Sequence, residues 1–288
     1  MTPAAAPPPE SMDEMTKDNR TAPERQRPAL EVLVAAVQEN GITLAERMNL
    51  STDAVICIQC HTFSFQEFER RGSRIRVYSF EERGVGRNRN NALMRAEAQY
   101  VLFADEDIVY DDDYEENILA AFEANPEADI LMFNVSAVEE RRTYENRRWK
   151  RVRWYNCGRY PTYAMCARLD ALRRANVWFS LLYGGGAPYS NGEDSLFIHD
   201  CLKKGLRIGS VPVAIGHEAR REDNSSTWFE GYNEKFFFDR GVLYHDLYGH
   251  LQRPFALRFL LAHRKKMCTE ISVREAYRLM VKGMQVRG

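Results

Sequence analysis

The sequence has no long apolar run. Nothing in it approaches the roughly 20 residues needed to span a bilayer, and its start has no apolar core of the kind that opens a secretory signal. A soluble, cytoplasmic chain is expected, with any membrane contact peripheral and at the inner face of the plasma membrane. An excess of charge is also missing. Forty Lys and Arg stand against 41 Asp and Glu, so no global field draws the chain to nucleic acid. Cysteine is sparse, at six residues in 288. Cys57, Cys166 and Cys201 fall inside apolar or helical patterns, as buried reduced thiols do, which argues against a disulfide framework. Cys57-x-x-Cys60 has no second Cys or His pair at finger spacing, which argues against structural zinc. No internal repeat is visible. Large apolar side chains are scarce in residues 1–28, a Pro- and Ala-rich stretch that cannot offset its ordering entropy and is expected to be a disordered tail.

What remains is ordinary in apolar content, at 44%, and generous in aromatics, with 14 Tyr and 15 Phe. That suits a real core with some aromatic site walls. Apolar runs at 30–36, 54–58, 74–80, 100–104, 130–135 and 208–215 read as strands, and helical patterns at 42–50, 90–98 and 114–124 separate several of them. Such alternation predicts an α/β fold with a mostly parallel central sheet flanked by helices. Residues 225–250 read as aromatic-rich and irregular. Pro254 opens a helix, and Ser272-x-x-Glu275 is a capping box for another. The division expected is a tail over 1–28, one domain over 29–250 and C-terminal helices over 251–288.

Chemistry gathers at strand ends. Tyr100-Val-Leu-Phe-Ala104 runs straight into Asp105-Glu106-Asp107. A buried strand carrying acids to its C-terminal end puts them where open α/β sheets bind ligands. Residues two apart on extended chain face the same way, and hard carboxylate oxygens suit Mg²⁺ or Mn²⁺ shared with substrate phosphates; a surface turn is the plainer alternative. Arg83, Arg87 and Arg89 crowd Gly84 and Gly86, as a diphosphate clamp would or as a solvated loop would. Gly192-Glu193-Asp194 opens a helix behind a glycine-rich loop, 181–191. Asp194 reads either as an N-cap or as a general base beside a substrate loop. His217, at the end of strand 208–215, is either a metal ligand or a structural histidine. Residues 139–154 are densely basic with Trp149 and Trp154 interleaved. A solvated hairpin is the favoured reading there, and a phosphate- or glycan-binding loop is the other.

These blocks, in this order, resemble the GT-A glycosyltransferases, specifically those like glycosyltransferase family 2. Arg89-Asn90 precedes an Ala-rich helix and YVLFADED. Gly192-Glu193-Asp194 is followed by Asp200-Cys-Leu-Lys-Lys-Gly205, and the next strand ends at His217. The resemblance implies a GT-A (nucleotide-diphospho-sugar transferase) fold, a nucleotide-diphosphate sugar donor, a UDP sugar first, and Mn²⁺ or Mg²⁺. It implies that Asp105 touches the ribose, that Asp107 binds the metal, that Arg89 lies near the nucleotide, and that Asp194 deprotonates the acceptor in an inverting transfer. Glu106 and Arg83 are placed with the nucleotide, Glu193 with the catalytic Asp194, and Gly185 and Gly186 with the acceptor. The family's Pro-x-Tyr-Asn and Asp-Asp-Gly-Ser are replaced here by Ala36-Val37-Gln38-Glu39-Asn40 and Gln59-Cys60-His61-Thr62. Gln38 and Gln59 are placed with the nucleotide at these altered ends, which leaves the base open.

A divergent subgroup associated with bacterial surface polysaccharide synthesis looks similar in its Gln-Cys pair and its Ser225-Ser-x-Trp228-Phe. Trp228 would stack on a sugar there, or simply pack. The acceptor implied is a glycan or a lipid-linked one. His263-Arg-Lys-Lys266, behind the apolar Phe255–Leu261, reads as a basic amphipathic anchor or as a helix packed on the domain. Two other readings stand beside transfer. A sugar-phosphate nucleotidyltransferase would carry a glycine-rich phosphate loop after the first strand, which Ala35–Gly41 does not show. A non-catalytic domain that binds glycan or a partner protein would not need the acids at 105, 107 and 194.

Overall fold

The computed structural model describes residues 26–137, 144–219 and 231–286. Strand β1 (Leu30–Val37) is buried along nearly its whole length and pairs in parallel with β2 (Asp53–Gln59) and β5 (Tyr100–Asp105). Strand β2 pairs in parallel with β4 (Ser73–Phe80). The expected parallel core is this block, β4-β2-β1-β5. Beyond it the sheet is mixed. Strand β9 (Met165–Arg168) lies antiparallel between β5 and β7 (Ile130–Ser136), and β10 (Ile208–Glu218) runs parallel to β7. At the two edges β3 (Ser64–Arg70) and β6 (Ile108–Tyr110) are antiparallel to β4 and β10, and β8 (Lys150–Arg151) also pairs with β10.

Period-two alternation supplies two cores, one on each face of the sheet. Val32, Val34 and Ala36 of β1 join Leu44 of α1 (Gly41–Arg47), Met48 just past its end, and Ile118 and Phe122 of α3 (Tyr114–Ala124). Leu33 turns the other way. It joins Ala92 and Leu93 of α2 (Val85–Arg95), Leu172 of α4 (Leu169–Ala175) and Phe197 of α5 (Glu193–Lys203). All six cysteines are free thiols, and four of them are buried.

Four elements depart from expectation. Strand β3 is an exposed edge strand, so no buried run announced it. Strand β6 is a three-residue return hidden behind the acids. Helix α2 begins at Val85 rather than Asn90, because its first turns bury polar Asn88 and Arg89 and therefore show no apolar period. Residues 234–248, read as irregular, form α6. That helix is buried on two sides, so it lacks the single apolar stripe of a surface helix. Phe236, Phe237 and Tyr244 pack with α7 (Gln252–Met267) and α8 (Val273–Met284), while Val242, Leu243 and Leu247 pack on Tyr183 and Leu196 of the main domain. Helices α6 and α8 meet backbone to backbone. A Cβ on Gly241 would lie 2.0 Å from the Met280 carbonyl oxygen, and one on Gly283 2.1 Å from that of Phe238. Ser272 caps α8 through the Glu275 amide, as its spacing predicts.

Candidate active site

The parallel block brings the ends of β1, β2, β4 and β5 to one edge of the sheet, and α2 starts there. The Gly84 amide donates to Gln59 Oε1 at 2.8 Å, and the Val85 amide donates to the Gly185 carbonyl at 2.9 Å. Close approach is possible because Gly86 has no side chain; a Cβ there would lie 2.3 Å from the Ser180 carbonyl oxygen. This seating turns Arg89 inward, where only 4% of its side chain is exposed. Its guanidinium donates to Asp105 at 2.7 Å, to Asp194 at 3.0 Å and to Glu193 at 3.4 Å. Three residues distant in sequence thus share one cation.

Burial disfavours the charge on Arg89, but Asp105, Asp194 and Glu193 together outweigh it and hold the guanidinium above its ordinary range. Burial raises the Glu193 carboxyl to about 7; the negative charge of Asp194 adds to this, and Arg89 opposes it. Two carboxylates side by side in different environments therefore differ in role. Glu193 holds a proton near neutrality. Asp194 receives the Arg89 donor and the Thr162 hydroxyl, both on Oδ1. Thr162 was missed in sequence, since nothing about a threonine between 3-10 turns marks it as a carboxylate partner.

A cavity of about 260 Å³ lies at the ends of β1, β2 and β4. Its lining includes Gln38, Gln59, His61, Glu82 and Arg83, which brings together three of the residues expected at the nucleotide. Gln59 is buried and uses its carboxamide oxygen to hold Gly84. Gln38, in the left-handed region at φ 53°, meets the His61 ring at 3.4 Å. Glu106 accepts from the Val37 amide at 2.7 Å, so this acid clasps the ends of β5 and β1 together.

Asp107 lies one residue before β6. Its carbonyl accepts from the Ala219 amide at 2.7 Å, extending the ladder in which His217 faces Val109. That register sets Asp107 and His217 diagonally on one face of the pair. Among the described residues no cluster of three or more His, Cys, Asp or Glu stands ready for a metal. Two protein ligands, completed by phosphate oxygens and water, are nevertheless what a hard divalent cation takes beside a diphosphate. Asp107 and His217 fit that partial set.

A larger cavity of about 610 Å³ opens on the other side of α2. Gly184, Gly185 and Gly186, Asn191, Tyr232, Phe236, Arg240 and Met267 are among its walls. Gly184, at φ +97°, rests against Glu193; a Cβ there would lie 2.7 Å from its carboxyl carbon, so the glycine loop touches the carboxylate cluster. Arg240 Nε and Asn191 Oδ1 are buried without a hydrogen-bond partner. Burial lowers the Arg240 guanidinium, a pull that Glu193 partly opposes. Arg240 was not anticipated, because the helix that positions it was not recognised, and neither was Tyr232, which lies just before that helix. Trp228 lies outside the described residues.

Residues 64–185 match the family model "Glycosyl transferase family 2". The match contains Arg83, Arg89, Asp105, Asp107 and Gly185, and it stops short of Glu193, Asp194 and His217. No curated protein sequence matches the chain. The fold is similar to that of S. aureus TarS 1–349, with a TM-score of 0.59 and 16% identity, covering 90% of this chain and 82% of that one. The same protein in complex with UDP-GlcNAc gives a TM-score of 0.61 at 16% identity, and with UDP 0.58 at 15%, with the same coverages. Identity this low shows a shared fold. The chain therefore shares the fold of GT-A neighbours such as TarS, and over residues 64–185 it is similar to the family 2 glycosyltransferases.

Proposed function

We propose that the protein transfers a sugar from a nucleotide-diphosphate donor to a hydroxyl of a glycan or lipid-linked acceptor. One observation carries this reading: a single helix start is tied to a wall residue of each cavity, Gly84 to Gln59 and Val85 to Gly185, and the same helix carries Arg89 with its carboxylate partners. The smaller cavity takes the nucleotide, with Gln38, Gln59 and Arg83 in its wall. A UDP sugar is the first candidate, and the complex of the fold relative TarS with UDP-GlcNAc supports it. The larger cavity takes the acceptor over Gly185 and Gly186.

In the reaction, the acceptor oxygen bonds to the anomeric carbon as the bond from that carbon to the diphosphate breaks. The bonding pair leaves with the nucleoside diphosphate, and the acceptor proton passes to Asp194. Both described hydrogen bonds to Asp194 fall on Oδ1, which leaves Oδ2 for that proton. Arg89 orients Asp194 through its 3.0 Å contact. Glu193, raised to about 7 by burial and by Asp194, carries less negative charge near neutrality than an ordinary carboxylate would. Asp107 and His217 would hold a divalent ion, which would supply charge neutralisation at the leaving diphosphate. A role in surface polysaccharide synthesis follows the same reading.

The test is a thermal-shift screen of nucleotide sugars with and without Mn²⁺. A metal-dependent rise in Tm is expected for a subset sharing one base, together with its loss in Asp107→Ala. Release of pyrophosphate during turnover, in place of a nucleoside diphosphate, would refute sugar transfer.

A further inference from the structure

Helix α7 carries five Arg and Lys and no acid. Residues 252–286, spanning α7 and α8, carry eight Arg and Lys against two Glu, in a chain whose formal net charge is −1. These two helices are therefore strongly net positive in a chain that is close to neutral. Helix α7 packs on its neighbours through Ala256 and Leu260, which settles part of the sequence alternative. Its other face is open. Leu257 is 44% exposed and Leu261 49%, one turn apart on the same line. At about 100° per residue, Arg253 and Arg264 border that line on one side, and Arg258 and Lys265 border it on the other. All four are exposed.

We propose that this outward face of α7 seats the protein on an anionic membrane surface. Two leucines between rows of cations form an interfacial pattern. The apolar pair enters the acyl boundary, and the Arg and Lys stems lie along it with their charged heads at the lipid phosphates. A soluble polyanion would use the cations but leave both leucines in water. A second copy docked symmetrically through this face would bring like charges together. The anionic bilayer alone satisfies both halves of the face. Met267, at the end of α7, lines the glycine-loop cavity. A membrane under α7 therefore lies at the rim of the proposed acceptor site, where a lipid-linked acceptor would present its head. That last consequence rests on the proposed transfer, whereas the membrane binding does not.

The test is flotation of the full chain with phosphatidylcholine vesicles, with and without phosphatidylglycerol. Binding is expected only to the anionic vesicles, weakening as salt is raised. Arg253→Gln with Lys265→Gln should lower the partition about thirtyfold, at about fivefold per cation. Leu257→Ser with Leu261→Ser should lower it about tenfold or more. Unchanged far-UV circular dichroism and Tm would show each variant folded, and either pair serves if the other is not. Equal binding to neutral vesicles, no binding to either, or full binding by a folded pair variant would overturn the proposal. Inorganic polyphosphate binding as tightly as the vesicles, and equally in the leucine variant, would reassign the face to a soluble polyanion. Failure here with metal-dependent donor binding intact would count against the membrane seat alone. Vesicle binding without any donor binding would count against the transfer reading alone.

Discussion

Replacing Glu193 by Gln is expected to stabilise the protein above neutral pH and leave it unchanged below about pH 4.5. The Glu193 carboxyl is raised from 4.5 to about 7, first by burial and then by Asp194, against the pull of Arg89. Its side chain is 15% exposed, so solvent screening is limited. A raised carboxyl favours the folded state while it is protonated. That contribution is complete below about pH 4.5 and is lost as pH climbs through about 7. The full loss corresponds to about 3 kcal/mol. Gln cannot ionise, so it escapes this loss, and its carboxamide oxygen can still accept from Arg89 at the longest of the three contacts, 3.4 Å. The expectation above neutrality is a gain of about 3 kcal/mol, or roughly 6–12 °C in Tm. Urea or thermal unfolding of wild type and Glu193→Gln across that pH range measures it, and the difference between the two curves isolates Glu193 from every other titrating group. A flat difference, or a variant less stable at high pH, would refute the reasoning and make Glu193 an ionised partner that Arg89 needs.

Arg89→Met leaves three carboxylates sharing a site without their cation, and about 3–5 kcal/mol of stability should be lost at neutral pH. The loss should ease in acid as Glu193 takes up its proton; equal stability to wild type in urea would count against the cluster. Asp194→Asn should lower turnover about 10²–10⁴-fold while the donor still raises Tm, and wild-type turnover would remove Asp194 as the base. Gly241→Ala puts a methyl group 2.0 Å from the Met280 carbonyl oxygen. Helix α8 must then move, at about 1–3 kcal/mol. Unchanged denaturation would show that the two helices do not cross so closely.

Buried strands announced themselves. Tyr100-Val-Leu-Phe-Ala104 could only be a strand with its acids at the tip, because apolar residues that stop abruptly at charge have few other resting places. Capping at Ser272 and the glycine closing α5 were equally legible, since both depend on neighbours a few residues away. Helix α6 was not, because Phe236, Val242 and Leu247 answer to two different cores and their periods overlap. The start of α2 was not legible either. Its Arg89 is buried in an ionic cluster whose other members come from a strand, at Asp105, and from a helix about a hundred positions away, at Glu193 and Asp194.

By itself the sequence determined the layered α/β architecture, the placing of Asp105 and Asp107 at a strand end, and the placing of Asp194 at a helix start. Local periodicity and capping suffice for each. Only the tertiary structure decided how the residues divide their work. Gln59 and Glu106 turn out to clasp backbone, Arg89 binds three carboxylates at once, and burial raises Glu193 towards neutrality. Those outcomes depend on burial and on distances between segments far apart in the chain. They follow from how the sheet brings its edges together, which no local pattern encodes.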